Sequence, residues 1–185
     1  MDNGASSYRR FRDGDDNGLV EIIRDYKDGL ILFIYNIVGD IHIAEDLAED
    51  TFVLLGTRKP KDKQNGSFKT WLYTIGRNKA YDFLRRKKRF IELNIDDVTE
   101  TGSRDEALDI QYIRQERAMI VHREMQNLKA EYRQILWLIY FEELSNKECA
   151  VIMKKSTHAI ETLAYRARNA LRTKLEQEGF YYEDL

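Results

Sequence analysis

One segment of the chain, from Gly66 to Arg89, carries side chains whose types and spacing suit contact with nucleic acid. Twelve Lys or Arg residues lie between Arg58 and Arg89 against two Asp, in a chain whose formal net charge is −2. Aromatic rings and an Asn lie among these cations, and unpaired bases bind to rings beside cations. The candidates for this contact are Lys69, Trp71, Tyr73, Arg77, Asn78 and Tyr81. The basic run that would hold duplex phosphates consists of Arg85, Arg86, Lys87, Lys88 and Arg89.

The same segment is predicted to form one amphipathic helix. Ser67 can cap its first turn, because a Ser hydroxyl accepts a hydrogen bond from an otherwise unpaired backbone N–H. The apolar positions at helical spacing are Phe68, Leu72, Ile75 and Phe83. Two simpler interpretations stay open. A charge run is usually a solvated helix face, and the spacing of Trp71 favours a core position over a DNA contact.

A strongly acidic segment precedes this helix. Residues 40–50 contain five acids and no Lys or Arg. The simplest interpretation is that acids in the first turns of a helix compensate its dipole and keep the surface soluble. A sharper one is a docking face for a basic protein surface, formed by Asp46, Glu49 and Asp50. No metal site is expected, because His42 is the only nearby His and no ligand spacing is recognisable.

The second half of the chain has the pattern of a helix-turn-helix. Ser145 and Glu148 form Ser-x-x-Glu, which is a capping box for a short helix. Two Lys at 154–155 then make a turn, and a long helix follows. An ordinary αα-hairpin would give the same helical pattern. Residues 154–174 contain six Lys or Arg and a single acid, Glu161. This surplus of positive charge favours DNA binding.

Composition restricts the fold to the all-α class. The 185 residues include one Pro and show several windows at the helical period, with no series of alternating strands. Cys149 is the only Cys, so neither an internal disulfide nor a Cys-based metal site is possible. No signal peptide or long apolar run is present, which predicts a cytoplasmic protein. Because the three His are scattered, we expect no catalytic site, no metal and no cofactor.

The order of composition along the chain predicts two small helical domains joined by a flexible acidic linker. Apolar residues recur at helical spacing from Asn17 until Gly39, which should end that helix, and Asp40 can cap the next. Seven acids and one base lie in residues 91–109. The predicted boundaries are a mobile tail over 1–16, a first domain over 17–90, a linker over 91–109, a second domain over 110–178 and a tail over 179–185.

Three motifs in this order resemble the extracytoplasmic-function (ECF, group IV) class of the sigma-70 family of bacterial RNA polymerase sigma factors. They are AEDLAEDTF (Ala44 to Phe52), FKTWLYTIGRNKAYDFLRRKKR (Phe68 to Arg89) and LSNKECAVIMKKSTHAIETLAYRAR (Leu144 to Arg168). The resemblance implies that the first domain is sigma region 2, which opens and reads the minus-ten promoter element. It also implies that the second is sigma region 4, which reads the minus thirty-five element.

The resemblance further implies the partners. Asp46, Glu49 and Asp50 would dock on the clamp coiled coil of the β′ subunit of core RNA polymerase, and region 4 would contact the β flap. Promoter DNA and an anti-sigma factor complete the expected set. A flipped base would lie near residues 65–69, and melting would use binding energy without nucleotide hydrolysis.

Two positions depart from the pattern of the family in the second domain. Lys154 stands where Gly is common, so the turn must suit Lys or accept a cost of about 1 kcal/mol for a left-handed residue. Glu161 stands where a base is frequent, and Glu can accept a hydrogen bond from a cytosine amino group. The candidates for minus thirty-five contact are Ser156, Thr157, His158, Glu161, Thr162, Tyr165, Arg166 and Arg168. The alternative function is a helix-turn-helix regulator that acts on duplex DNA without joining polymerase.

Overall fold

A computed structural model describes residues 3–60, 67–93 and 116–179. Every regular element in these ranges is a helix, which confirms the all-α prediction. The helices are α1 (Asn3–Arg12), α2 (Asn17–Val38), α3 (Ile41–Arg58), α4 (Phe68–Leu93), α5 (Glu116–Gln126), α6 (Ala130–Leu136), α7 (Asn146–Met153) and α8 (Thr157–Gln177). A π-helical turn, Trp137–Phe141, continues α6. No helix in the described ranges is long and apolar enough to cross a membrane.

The first module consists of α1 to α4, with its core between α2, α3 and α4. Leu30, Ile34, Leu55 and Leu72 are fully buried there, so the core combines residues from all three helices. The predicted boundary between α2 and α3 is confirmed. Gly39 takes a left-handed conformation with φ 76° and donates its N–H to Tyr35 O, and the Asp40 carboxylate accepts from Ile43 N. This tight corner sets the direction of α3.

The mobile tail predicted over residues 1–16 is wrong for residues 3–12, which form α1. Tyr8 is 3% exposed and Phe11 is 4% exposed, and the Tyr8 hydroxyl donates to Pro60 O at 2.6 Å. Ser7 and Arg10 both bond the Glu21 carboxylate on α2. Two well-placed rings therefore offset the ordering of a segment that is polar on average.

The second module consists of α5 to α8. The capping box is present: Ser145 Oγ accepts from Glu148 N, and the Glu148 carboxylate accepts from Ser145 N at 3.0 Å. Ser156 caps α8 by accepting from Ala159 N at 3.1 Å. Ile135, Leu138, Ile152 and Ile160 are fully buried, which makes α6 and the start of the helix-turn-helix the centre of this module.

The boundaries between modules are partly described. Helix α4 continues to Leu93, so residues 91–93 of the predicted linker are helical. The rest of the linker, the first residues of the predicted second domain, and the tail beyond residue 179 lie outside the described residues. The domain limits given above therefore stay predictions.

The two modules are packed against each other. Helix α4 contacts α7, and α2 contacts α6 and the π-helical turn. The N-terminal ends of α4 and α7 thus meet, which places the beginning of the basic-aromatic helix beside the helix-turn-helix.

Candidate nucleic-acid interface

The first turn of α4 is fixed by its cap. Ser67 Oγ accepts from Thr70 N at 3.2 Å, which confirms the predicted role of Ser67. The hydroxyls of Ser67 and Thr70 also donate to Glu148 Oε1 on α7, at 2.9 Å and 3.2 Å respectively. The part of the flipped-base site predicted at residues 65 and 66 lies outside the described residues.

Lys69 is engaged with the second module. Its Nζ lies 2.7 Å from Glu142 Oε2 and donates to Glu142 O at 2.9 Å. The Lys69 side chain is 27% exposed and that of Glu142 is 9% exposed, so water screens this pair poorly. A phosphate that binds Lys69 must therefore compete with Glu142.

Trp71 belongs to an aromatic cluster and is half-buried. Its ring centroid lies 5.2 Å from that of Tyr8 and 5.6 Å from that of Phe68. Phe68 packs in turn on Tyr26. The ring of Trp71 therefore takes part in core packing, as its spacing alone favoured, while part of its surface stays exposed.

The prediction that Tyr73 is one of the base-stacking rings is wrong. It has no exposed surface, and its ring packs 5.2 Å from Phe33 in the core of the first module. Burial first, and then the nearby Glu142 carboxylate, raise the pKa of Tyr73 well above its usual value. The Tyr73 hydroxyl lies near the Glu142 carboxylate, so Tyr73 is a core residue that also borders the second module. The sequence misassigned it because a ring on the α2 side of α4 looks the same in the pattern as one on the exposed side.

The middle of α4 presents Arg77, Asn78 and Tyr81, each half-buried. The Arg77 guanidinium lies 4.3 Å from the Tyr81 ring centroid, which is the predicted pairing of a cation with a ring. Gln134 Nε2 on α6 donates to the Tyr81 hydroxyl at 3.2 Å. Within the described ranges, Arg77 Nε and Gln134 Oε1 are buried without a hydrogen-bond partner. We call Lys69, Trp71, Arg77, Asn78 and Tyr81 the basic-aromatic face.

The basic end of α4 projects away from the core. Arg85, Arg86, Lys87, Lys88 and Arg89 are all exposed. Arg85 pairs with Asp82, and Lys88 lies 3.6 Å from Glu92. Such exposed pairs contribute little to stability, so these cations remain available to phosphates.

The docking face on α3 is exposed as predicted. Asp46, Glu49 and Asp50 lie on the outer side of the helix, opposite the buried Ala44 and Ala48. Asp50 approaches Lys79 of α4 at 3.5 Å, and its side chain is 66% exposed. The three carboxylates are therefore accessible at the surface of the first module. No group of three or more potential metal ligands occurs in the part of the chain that the structure describes.

Helix α8 exposes the predicted minus thirty-five residues on one side. Tyr165 is 61% exposed, while Ile160, Ala164 and Ala167 face the core. The other exposed candidates are Ser156, His158, Glu161, Arg166 and Arg168. Thr157 and Thr162 are half-buried. His158 Nδ1 lies 3.9 Å from the Glu161 carboxylate, which is a long separation for an ion pair.

The turn before α8 takes the second of the two conformations that the sequence left open for Lys154. Lys154 takes a left-handed conformation with φ 54° and ψ 46°, and it donates its N–H to Ala150 O and Val151 O. Lys155 lies 3.0 Å from Glu131 of α6. The chain therefore accepts the left-handed Lys as the alternative to Gly in this turn.

Sequence reasoning missed the residues that join the modules. Glu142, Glu148 and Gln134 contact α4, and Asn36 contacts both Gln126 and Arg133. The sequence pattern identified Glu148 only as part of the capping box of α7, and gave no sign of its contact with α4. Glu142 lies between apolar segments and matches no local motif, so only three-dimensional packing reveals it.

Comparison with known families decides the class. The family model described as sigma-70 region 2 matches residues 22–90, and the model described as sigma-70, region 4 matches residues 118–171. The chain belongs to the sigma-70 family. Relatives assign it to the ECF class of sigma factors. It is 27% identical over 175 residues to the ECF RNA polymerase sigma factor SigW of Bacillus subtilis, with 90% of this chain and 94% of that relative covered.

Two solved structures share the fold of this sigma factor. The Bartonella quintana sigma factor RpoE, in complex with the anti-sigma factor NepR, gives a TM-score of 0.69 at 24% identity, covering 84% of this chain and 95% of that chain. CnrH, in complex with the cytosolic domain of CnrY, gives 0.61 at 19% identity, covering 95% of this chain and 96% of that chain. As a sigma factor, the protein directs RNA polymerase to promoters, and a regulator that never joins polymerase is not favoured.

Proposed function

We propose that the two modules divide promoter recognition between them. The basic-aromatic face of α4 binds the unpaired non-template strand of the minus-ten element, with rings stacking on bases and cations on the backbone. The exposed basic end from Arg85 to Arg89 holds duplex phosphates upstream. The observation that supports this most directly is the pairing of Arg77 with Tyr81 on a helix that also carries five consecutive exposed cations, residues 85–89.

The second module reads the minus thirty-five element through α8. Its exposed side combines an acceptor, Glu161, with the cation Arg166 and the ring of Tyr165. A carboxylate accepts from cytosine N4, and Arg donates to guanine, so these side chains suit a site that contains G·C pairs. Ser156 and Thr157 at the N-terminus of α8 suit phosphate contacts.

The docking face on α3 holds core polymerase. Three exposed carboxylates fit a basic surface, for which the β′ clamp coiled coil is the family's partner, and the second module would contact the β flap. The NepR and CnrY complexes concern other sigma factors, and they support an anti-sigma partner for this one. The protein acts by binding alone and carries out no catalysis.

Substitution of the docking face tests this assignment. We expect Asp50→Arg to weaken core polymerase binding by at least about tenfold, because it places a like charge against a basic partner. Asp13→Arg makes the same charge change on an exposed residue outside α3 and should leave affinity unchanged. The measurement is fluorescence titration of the labelled chain with core polymerase. Equal affinities for both variants would remove α3 from the polymerase contact.

A further inference from the structure

Helix α1 contacts the chain both where it leaves α3 and where it enters α4. At the α3 side, the Tyr8 hydroxyl donates to Pro60 O at 2.6 Å. At the α4 side, the ring centroid of Tyr8 lies 5.5 Å from that of Phe68 and 5.2 Å from that of Trp71. One nearly buried side chain therefore bridges the end of α3 and the first turn of α4.

The end of α3 is held on α1 by a second contact. Lys59 takes a left-handed conformation with φ 41°, and its Nζ donates to Phe11 O at 3.3 Å. The same ammonium group lies 4.3 Å from the centroid of the Phe11 ring. Because a left-handed conformation is unfavourable for a residue with a Cβ, it needs support from its surroundings. The contacts with α1 stabilise the direction in which the chain leaves α3.

The start of α4 also lies directly against the backbone of α1. A Cβ built at Gly4 would clash with the ring of Phe68 and would lie 2.5 Å from the Tyr26 hydroxyl. The missing side chain at position 4 therefore permits the close approach of the two helices. Since Phe68 is the first residue of α4, any shift of α1 would be transmitted to the start of that helix.

Helix α1 is itself anchored on α2. Ser7 Oγ donates to Glu21 Oε2 at 2.6 Å, and Arg10 Nη1 lies 3.1 Å from the same carboxylate. A Cβ built at Gly18 of α2 would clash with Ser7 O, so the two helices also pack backbone against backbone. Tyr8 thus projects from a helix that is fixed on α2 by side-chain and backbone contacts.

We propose that Tyr8 is a positioning residue for the recognition of unpaired minus-ten bases, because it fixes the first turn of α4 relative to the end of α3. This inference rests on the proposed role of α4 in binding unpaired DNA. Trp71 belongs to the basic-aromatic face and is half-buried, and its ring packs on Tyr8. Tyr8 is only 3% exposed, so it acts through Trp71 and the backbone of Pro60 and does not itself touch DNA.

The first test removes the Tyr8 hydroxyl and keeps its ring. Polymerase complexes of the full chain are incubated with promoters randomised at the minus-ten element, and the DNA of heparin-resistant complexes is sequenced. We expect Tyr8→Phe to lower the preference for the favoured bases about fivefold, because loss of the hydrogen bond to Pro60 O lets the start of α4 shift.

Ser7→Ala is the matched control on the same helix. It removes the hydrogen bond of the neighbouring hydroxyl to Glu21 and leaves the contacts of Tyr8 in place. The two variants should bind core polymerase equally, and Ser7→Ala should keep the base preference of the parent chain. An equal loss of preference in both variants would reduce Tyr8 to a general structural role and overturn the inference.

Lys59 provides an independent pair of variants. Lys59→Gln removes the cation that contacts Phe11, whereas Arg58→Gln removes the same charge from the exposed residue beside it. Any general attraction for phosphates should therefore fall alike in both. We expect the base preference to fall about threefold in Lys59→Gln and to stay unchanged in Arg58→Gln. Identical preferences in the two variants would contradict the inference.

Arg77→Ala separates this inference from the function on which it rests. A fluorescent single-stranded DNA with the preferred minus-ten sequence is titrated with the polymerase complexes, and Arg77→Ala should weaken its binding about tenfold. Unchanged binding would refute the role of α4 in holding unpaired DNA. If Arg77→Ala weakens binding while Tyr8→Phe keeps the base preference of the parent chain, only the positioning role of Tyr8 is overturned.

Discussion

The side chains of α4 were only partly predictable from the sequence pattern. The exposed cations of the basic end lie where amphipathic spacing puts them, because charges on a solvated face follow directly from the sequence. Trp71 was ambiguous and Tyr73 was assigned to base stacking, since a ring suits a core position and a base-stacking surface equally well. Packing on Phe33 assigns Tyr73 to the core, and Trp71 is shared between the core and the surface.

Glu161 carries a prediction about promoter sequence. We expect Glu161→Gln to relax discrimination at one base pair of the minus thirty-five element by about 1 to 3 kcal/mol, because it changes an acceptor-only group into one that also donates. Binding of a promoter library by the polymerase complex, followed by sequencing, measures the preference. Glu176→Gln makes the same change on the exposed end of α8 and should preserve it. Identical preferences for all three proteins would exclude Glu161 from base reading.

Lys154 carries a prediction about stability. We expect Lys154→Gly to raise the free energy of unfolding by about 1 kcal/mol, because Gly takes the left-handed conformation without a Cβ clash. Urea denaturation followed by circular dichroism gives the difference. Glu178→Gly, at an exposed position with φ −86°, should bring no such gain. A loss of stability in Lys154→Gly would mean that the Lys side chain contributes more than its backbone strain.

At the scale of elements, α1 is the largest departure from the sequence-based prediction. Its mean composition is polar, but Tyr8 and Phe11 recur on one side and cover the cluster around Phe68 and Trp71. Averages over a segment conceal two buried rings, and a search for spacing within residues 1–16 would have found them.

The contribution of α1 can be measured through Tyr8. We expect Tyr8→Ala to lower the free energy of unfolding by about 3 kcal/mol, since it removes a buried ring from the aromatic cluster. Tyr8→Phe should lose about 1 kcal/mol, because the ring stays and the hydrogen bond from its hydroxyl to Pro60 O is removed. Arg9→Ala, on the exposed side of α1, serves as the control. Equal stability of Tyr8→Ala and Arg9→Ala would show that α1 is not held in solution.

The lowered pKa of Glu148 makes the stability of the folded protein depend on pH. Burial tends to raise its pKa, but hydrogen bonds from Ser145, Ser67 and Thr70 outweigh this and lower the net pKa below the ordinary 4.5. A lowered pKa stabilises the folded protein above the ordinary value and loses that contribution as the pH falls through the folded value.

We therefore expect the stability of the full chain to decline below pH 4.5, and this part of the decline to be absent in Glu148→Gln. Thermal unfolding between neutral and acidic pH gives the two profiles. The exposed Glu143→Gln should retain the parent profile. A Glu148→Gln profile that matches the parent would remove Glu148 as the source.

The helices and their ends were largely predictable, for physical reasons that act locally. Each helix-end residue makes its hydrogen bond to a backbone group only a few residues away, so a sequence pattern is sufficient to identify it. These residues are Gly39, Asp40, Ser67, Ser145 and Ser156. The contact between modules was not predictable in this way. Glu142 and Lys69 are 73 residues apart, and nothing in the local pattern of either pairs them.

At the scale of the whole molecule, α4 lies between the two modules. Its basic-aromatic face contacts the second module through Lys69 and Tyr81, while the basic end of the helix and the docking face on α3 are exposed. The surfaces proposed for duplex phosphates and for polymerase are thus accessible in the packed chain.

Promoter-specific initiation tests the central claim most directly. Core RNA polymerase is incubated with the full chain and a library of supercoiled genomic fragments, and transcript 5′ ends are sequenced. The account predicts start sites that require the chain, that share two upstream sequence elements, and that disappear with Asp50→Arg. Start sites identical with and without the folded chain would contradict it.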